Sequence, residues 1–248
     1  MLELAAKRNK NVTAIIVAAG ESRRMGDDKL MLELAGVPVL LHTLRAFELS
    51  PVINEIVVVT RLDLLEQVAE LASSGGITKL TKVITGGNTR TESVQNGLYA
   101  GSRRAKYIAI HDGARPLVSQ KIIRDTVSKA EKHNAAAPAM PVKSTIKQVK
   151  NGVVVATPER SELYEIQTPQ VFDADLIKGA IAAAMQKNKQ YTDDCAAVEM
   201  IGATVYITEG SYENFKLTTP EDMLIAEMIM SINALRQAGI GEVQLENR

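Results

Sequence analysis

The sequence predicts an α/β fold, a mainly parallel sheet flanked by helices with a protruding β-arm. Three observations carry this. Short β-rich runs alternate with amphipathic helical stretches over the first 140 or so residues, the order that builds a parallel sheet with helices on both faces. The segments that follow those runs are rich in glycine, small and charged residues, as at the carboxyl edge of such a sheet, where ligands bind. One stretch, about 141–167, breaks the alternation and holds an Asn-Gly pair between β-prone runs, a strong hairpin signal.

The elements can be justified in order. Val12 to Val17 is a short apolar run that stops at Ala18, Ala19 and Gly20, so it reads as a buried strand. Pro38 to Leu49 reads as a helix, with Pro38 suited to its first turn. Glu55 to Thr60 is a second strand, 62–73 a helix ending near Gly75 and Gly76, and Thr81 to Thr85 a third strand closed by Gly86 and Gly87. Thr89 and Glu92 match a capping box opening a helix to about Ala100. Tyr107 to Ile110 is a fourth strand, 120–133 a helix, and Ala135 to Met140 another buried strand. Thr145 to Val149 and Val153 to Ala156 flank Asn151 and Gly152 as a hairpin, readable as a lid, a dimer arm or an ordinary edge hairpin. Helices follow near 173–186 and 193–200, then a strand from Ala203 to Thr208. A last helix opens at Thr219, Pro220, Glu221 and Asp222. Its apolar positions Ile225, Met228, Ile229, Ile232 and Leu235 have helical spacing and are expected to face the core. With no internal repeat or linker, the expectation is one domain over 1–248 with an inserted arm over 141–167.

Composition narrows the function. Hydrophobic residues make up 46% and charged residues 23% of the chain, ordinary globular usage that argues against disorder. The 29 basic residues balance 29 acidic ones, so no general affinity for nucleic acid or anionic membrane is expected. Aromatic residues are 4% with no Trp, too few for base-stacking platforms. The single cysteine excludes an intrachain disulfide and a cysteine-based zinc site. No apolar run is long enough to span a bilayer, and Met1 to Arg8 lacks a signal-peptide core, so a cytoplasmic protein is expected. No room for a fused second enzyme is expected before Arg248.

The strand ends carry the chemistry. After the first strand come Ala18, Ala19 and Gly20, then Arg23, Arg24 and Lys29. Small residues permit close backbone approach, consecutive N–H groups can form an anion nest, and the cations suit a triphosphate. The spacing is neither a Walker A motif nor G-x-G-x-x-G. A solvated basic loop is the plainer alternative. After the third strand, Gly86 and Gly87 allow approach to a flat base or a phosphate, with Asn88 and Ser93 as polar groups. A tight turn with a capping box explains part of that set. After the fourth strand, Asp112 is placed for a divalent metal or a sugar hydroxyl, and Arg115 for a bidentate phosphate clamp. A structural Asp112–Arg115 pair is the alternative. Arg160, Thr168, Thr192 and Lys216 are each weak signals alone. Cys195 reads as packed, and His42, His111 and His133 lack metal-ligand spacing; a structural hydrogen bond suits His111.

Together these segments resemble the cytidylyltransferases that make CDP-linked polyols, and within them the 2-C-methyl-D-erythritol 4-phosphate branch of the non-mevalonate isoprenoid pathway. The matching pieces run from Ala14 to about Glu227. They are Ala18, Ala19 and Gly20 with Arg24 and Lys29; Gly86 and Gly87 with Arg90 and Ser93; His111 to Pro116; Pro141 to Lys147; Gln167 to Gln170; Thr192 to Asp194; and Asn214 to Thr218. The resemblance implies a Rossmann-like nucleotidyltransferase fold and transfer of a cytidylyl group from CTP to 2-C-methyl-D-erythritol 4-phosphate. It also implies roles. Ala18, Ala19, Gly20, Gly87, Asn88 and Ser93 would hold CTP, together with Arg24, Lys29, Asp112 and Gly113. Arg24, Lys29, Arg160 and Lys216 would be the catalytic cations. Asp112, Arg115, Thr145, Arg160, Thr168, Thr192 and Lys216 would meet the polyol phosphate. Mg²⁺ would be held mainly by the CTP phosphates near Asp112, with no dedicated protein ligand. The arm implies a homodimer with composite sites. Two positions depart from the usual pattern: Asp28 and Leu30 flank Lys29 where Pro and Gln are frequent, and Asn88 stands where Asp is frequent. A ribitol 5-phosphate cytidylyltransferase is the nearest alternative; Ala18-Ala19-Gly20 and Asp112-Gly113-Ala114-Arg115 favour the methylerythritol branch. A non-catalytic nucleotide-binding protein is the alternative of another class, opposed by Arg24, Lys29, Asp112 and Lys216.

Overall fold

The computed structural model describes residues 11–20, 29–187 and 191–238. The chain runs β1 (Val12–Val17), β2 (Glu33–Leu34), β3 (Val37–Pro38), α1 (Val39–Glu48), β4 (Glu55–Thr60), α2 (Leu65–Ser74), β5 (Leu80–Thr85), α3 (Arg90–Ala100), β6 (Tyr107–Asp112) and α4 (Gln120–His133). It continues through β7 (Ala135–Pro141), β8 (Gln148–Lys150), β9 (Val153–Ala156), β10 (Tyr164–Ile166), β11 (Gln170–Asp173), α5 (Ala174–Gln186), α6 (Asp194–Met200), β12 (Tyr206–Glu209) and α7 (Pro220–Gln237).

Eight strands form one sheet in the order β10-β7-β11-β6-β1-β4-β5, with β12 beside β7. The pairs β6–β1, β1–β4, β4–β5 and β7–β12 are parallel, while β10 and β11 run antiparallel to β7. The strand alternation assigns side chains to two cores. Ala14 and Ile16 face α1, α2 and α4, whereas Ile15 faces α3, α5 and α6. β7 is almost all alanine and proline, and its alanines are buried. The helix before it, α4, is capped by Ser119, whose hydroxyl accepts from the Ile122 N–H at 3.2 Å. It stops at Asn134 in the left-handed region, φ 68°.

Three expectations need correction. Between the hairpin and the helix expected near 173–186, where no strand was assigned, the chain adds two short strands, β10 and β11, antiparallel to β7; β11 wedges between β6 and β7. Each is only three or four residues long, too short to show a period of two. The expected strand Ala203 to Thr208 begins instead at Tyr206. The last helix does not bury the stripe assigned to it: Ile225, Met228, Ile232 and Leu235 are 49, 65, 41 and 50% exposed, and Leu224 is 67% exposed. Met223, Ala226 and Met230 pack on the core instead. The helix carries apolar residues on two faces, and spacing alone cannot say which face the body covers.

The arm does form. β8 and β9 pair across Asn151 (φ 48°) and Gly152 (φ 78°), the two positive φ angles that a type I′ hairpin turn requires. The chain leaves the sheet at Pro141 and returns where Tyr164 pairs with that same residue. Val149, Val153, Val154 and Val155 are all exposed.

Candidate active site

A cleft of about 650 Å³ opens at the carboxyl ends of β1, β4, β5 and β6, where parallel α/β sheets hold ligands. Its lining joins Ala18, Ala19, Gly20 and Lys29 to Gly87, Asn88 and Ser93, and both sets to Asp112 and Lys216. Residues far apart in the chain thus meet as the strand ends implied.

The glycine-rich corner folds by close contact. A Cβ on Gly86 would overlap the Ala19 methyl and the Ser93 hydroxyl, and one on Gly87 would collide with Glu92. Glycine is therefore required by contact rather than by φ at both positions. Ser93 donates to the Thr89 carbonyl and accepts from the Gly87 N–H, each at 3.0 Å. The expected capping box is half formed. Thr89 accepts from the Glu92 N–H at 3.1 Å, but Glu92 reaches back to the Asn88 N–H, at 2.6 Å, one residue beyond the cap.

Asp112 ends β6 and is the most constrained group of the site. Lys216 Nζ lies 3.0 Å, Arg115 Nε 3.6 Å and Arg90 3.9 Å from its carboxylate. Burial pushes its pKa up, but the charges of Lys216, Arg90 and Arg115 outweigh burial and hold it at about 2. Its backbone N–H donates to Thr168 Oγ1 at 3.1 Å. Thr168 is bonded in turn to His111 Nδ1 at 2.9 Å, and His111 Nε2 to the Arg115 carbonyl at 3.2 Å. A carbonyl only accepts, so Nε2 carries the proton and Nδ1 receives the Thr168 hydroxyl. Burial lowers the His111 pKa to about 3, keeping the ring neutral. The structural role expected of His111 is observed.

Arg90 grips the buried Asp194 with two bonds, 2.9 and 2.7 Å. Burial opposes its charge, but Asp194 more than offsets this and keeps the guanidinium protonated. Gln170 fixes the other partner, accepting from the Asp194 N–H at 3.0 Å. On the opposite wall, Leu217 donates its N–H to Ala114 O at 2.9 Å, and Lys29 Nζ donates to Leu217 O at 3.0 Å. These bonds hold the Lys216 segment over the end of β6.

Not every expected residue reaches the lining. Gly113 lies beneath it, its N–H donating to Val17 O at 2.9 Å and its carbonyl accepting from Thr43 at 2.8 Å. Arg115 is turned toward the Asn214 carbonyl, 2.7 Å away, besides Asp112, so the structural pair considered from sequence is present. Thr168 is buried behind the site, and Thr192 is exposed ahead of α6. Thr145 and Arg160 lie on the exposed arm, where Arg160 donates to the Lys143 carbonyl at 3.2 Å. Arg24 lies outside the described residues. The lining also includes Arg61, which the sequence reading did not single out, and Thr89, Arg90 and Thr218, which it named as a helix cap or as matching segments without a part in binding. Arg61 directly follows β4, so inspecting that strand end like the other three would have found it.

The cleft suits a nucleoside triphosphate. It offers tight glycine-lined backbone, Lys216 on the Asp112 carboxylate, and Lys29 bonded to the carbonyl of the adjacent Leu217. Asp112 is the one carboxylate among the described lining residues, and no group of three His, Cys, Asp or Glu side chains converges among the described residues. Such a donor set fits Mg²⁺ carried on phosphates with a single protein carboxylate, the usual mode for that ion.

Comparison with known proteins agrees with this geometry. The family described as 2-C-methyl-D-erythritol 4-phosphate cytidylyltransferase matches residues 12–232. A protein of that name from Bacillus cereus is 44% identical over 222 residues, 89% of this chain and 98% of its own. One from Halalkalibacterium halodurans is 44% identical over 221 residues, covering 88% and 96%. Among solved structures, the 4-diphosphocytidyl-2C-methyl-D-erythritol synthase of Anaerococcus prevotii is 31% identical and superposes with a TM-score of 0.81, covering 90% of this chain and 97% of its own. The Thermus thermophilus cytidylyltransferase is 30% identical with a TM-score of 0.72, covering 89% and 99%.

Proposed function

Since the chain belongs to the 2-C-methyl-D-erythritol 4-phosphate cytidylyltransferase family, we propose that its cleft holds CTP with the base at the Gly86–Asn88 corner and the phosphates between Lys29 and Lys216. The enzyme joins CTP to 2-C-methyl-D-erythritol 4-phosphate, giving 4-diphosphocytidyl-2-C-methyl-D-erythritol and pyrophosphate in isoprenoid precursor biosynthesis. The observation that carries the site assignment is the meeting of Lys29, Asp112 and Lys216 in one cleft with the glycine corner.

A 4-phosphate oxygen of the polyol attacks the α-phosphorus of CTP in line. A new P–O bond forms, and the bond to the β-phosphate oxygen breaks with its electron pair leaving on pyrophosphate. The attacking oxygen is already anionic, so no strong general base is required. Catalysis is positioning plus neutralisation of charge on the α-phosphoryl oxygens and the leaving group. Lys29 and Lys216 supply that charge, and the family resemblance adds Arg24, which lies outside the described residues. Asp112 holds the Lys216 ammonium at 3.0 Å, so the cation is in place before substrate arrives. Asp112 is the residue that would hold Mg²⁺ against the CTP phosphates, and the ion would supply positive charge that eases departure of the leaving group.

The polyol side needs a second chain. Thr145 and Arg160 sit on an arm that is exposed over 143–162, with apolar valines facing solvent, and an isolated two-stranded hairpin is marginal in water. A homodimer would cover that arm and bring Arg160 of one chain to the cleft of the other. Among the described residues, no helix is long and apolar enough to cross a membrane.

Pyrophosphate release tests the reading. CTP with 2-C-methyl-D-erythritol 4-phosphate should support turnover, and CTP with ribitol 5-phosphate should not. Equal rates with both polyols would contradict the polyol assignment. A Lys29→Ala variant of near wild-type rate would contradict the site.

A further inference from the structure

Tyr212 lies outside the cleft lining, yet it joins the loop that carries Lys216 to the arm that carries Arg160. Its own loop is a fixed post. The buried Gln167 side chain grips Ser211 from both sides, donating to its carbonyl at 2.7 Å and accepting from its N–H at 3.2 Å. The buried Asn214 side chain donates to the Thr168 carbonyl at 2.9 Å, and the Asn214 carbonyl accepts from Arg115 at 2.7 Å. Tyr212 therefore stands between two pinned residues, shortly before Lys216.

From that post Tyr212 holds the root of the arm. Its hydroxyl donates to the Pro141 carbonyl at 2.8 Å, where the chain leaves the sheet. Pro141 has no N–H to add to the ladder at that point. Lys143 Nζ sits 3.4 Å from the centre of the Tyr212 ring, a cation–π contact. The Lys143 carbonyl in turn accepts from Arg160 Nη1 at 3.2 Å. Two backbone bonds close the root, Val142 N–H to Leu163 O at 3.0 Å and Leu163 N–H to Arg160 O at 3.1 Å. A short run of bonds thus places Arg160 relative to Tyr212. We infer that Tyr212 is a positioning residue: it locks the root of the arm onto the Lys216 loop and sets where the arm presents Arg160 to the polyol phosphate. A displaced root would lower apparent polyol affinity in proportion to the fraction of enzyme displaced. This inference rests on the reading of Arg160 as a polyol-phosphate ligand.

Steady-state kinetics of the full chain test it, with KM measured separately for 2-C-methyl-D-erythritol 4-phosphate and for CTP. Tyr212→Phe keeps the ring beneath Lys143 and loses the hydroxyl; it should raise the polyol KM roughly threefold, the scale of one hydrogen bond. Tyr212→Leu loses both contacts and should raise it about tenfold. Lys143→Met should resemble Tyr212→Phe, while Lys143→Arg, which keeps a cation over the ring, should stay near wild type. The CTP KM and the urea-unfolding midpoint should hold steady in all four. A rise in both KM values together, or a polyol KM that rises only in step with a lowered unfolding midpoint, would overturn the inference and leave Tyr212 a structural prop. A wild-type polyol KM in Tyr212→Leu, beside a disabled Arg160→Ala, would overturn this inference alone. Wild-type kinetics in Arg160→Ala would overturn both readings.

Discussion

The carboxyl ends of β1 and β6 and the arm between Pro141 and Tyr164 follow opposite rules. At the strand ends, each functional side chain is held by several others: Asp112 by three cations and a Thr168–His111 relay, Lys29 by the Leu217 carbonyl. On the arm, Thr145 and Arg160 project from a thin ribbon with exposed apolar residues on it. The first region is preorganised within one chain. The second acquires its surroundings only from something added. The difference separates two tasks: neutralising a triphosphate needs fixed charge, whereas closing over a second substrate needs an element that arrives from outside.

The largest expected effect lies in the fixed region. Lys29→Ala and Lys216→Ala should each lower kcat on the order of 10²–10³-fold while leaving the urea-unfolding midpoint nearly unchanged. A variant that lost fold stability instead would show that these lysines are structural props. Next comes the buried pair behind them. Asp194→Ala leaves Arg90 without its main partner and should cost about 3–5 kcal/mol in unfolding measurements. A cost under about 1 kcal/mol would show that the pair behaves as a surface contact.

Acid should expose the same contrast. His111 is held neutral, its pKa moved from 6.5 to about 3. Its contribution is complete above pH 6.5 and is lost as pH falls toward 3, because only the unfolded chain takes up the proton in that window. Unfolding free energy should drop by up to about 1.4 kcal/mol per pH unit below 6.5 from this group, and His111→Asn should flatten that slope. Asp112 adds a second loss at lower pH, between its usual 3.8 and about 2. The same slope in His111→Asn would place the acid sensitivity elsewhere. The smallest effect belongs to the arm. Val154→Ser should change single-chain stability by no more than about 0.5 kcal/mol at high dilution, yet weaken self-association in sedimentation. A large loss at high dilution would mean that the arm packs on its own body.

Legibility from sequence followed the same division. Strand ends were readable because apolar runs and glycine punctuation are local signals, and these alone placed Gly87, Asn88 and Asp112 near one another. β11 was hidden because four residues after a proline carry no period, although its insertion is what sets Thr168 against His111. The outward stripe of α7 was misassigned because spacing reports that a face is apolar, not what covers it. Arg61 escaped because a lone arginine is usually solvated surface and the end of β4, unlike the other three strand ends, carries no glycine to mark it. Arg160 and Thr145 came from family resemblance, since nothing in their own surroundings distinguishes them.

The central claim is that the nucleotide half of the site is complete within one chain and the polyol half is completed by a second. Mixing inactive Arg160→Ala enzyme with inactive Lys29→Ala enzyme tests it most directly. With random exchange, half the dimers are mixed, and each has one site with both residues intact, so activity should recover to about a quarter of wild type. No recovery, with subunit exchange demonstrated by differently tagged chains, would contradict the claim and place Arg160 in the service of its own chain or of none.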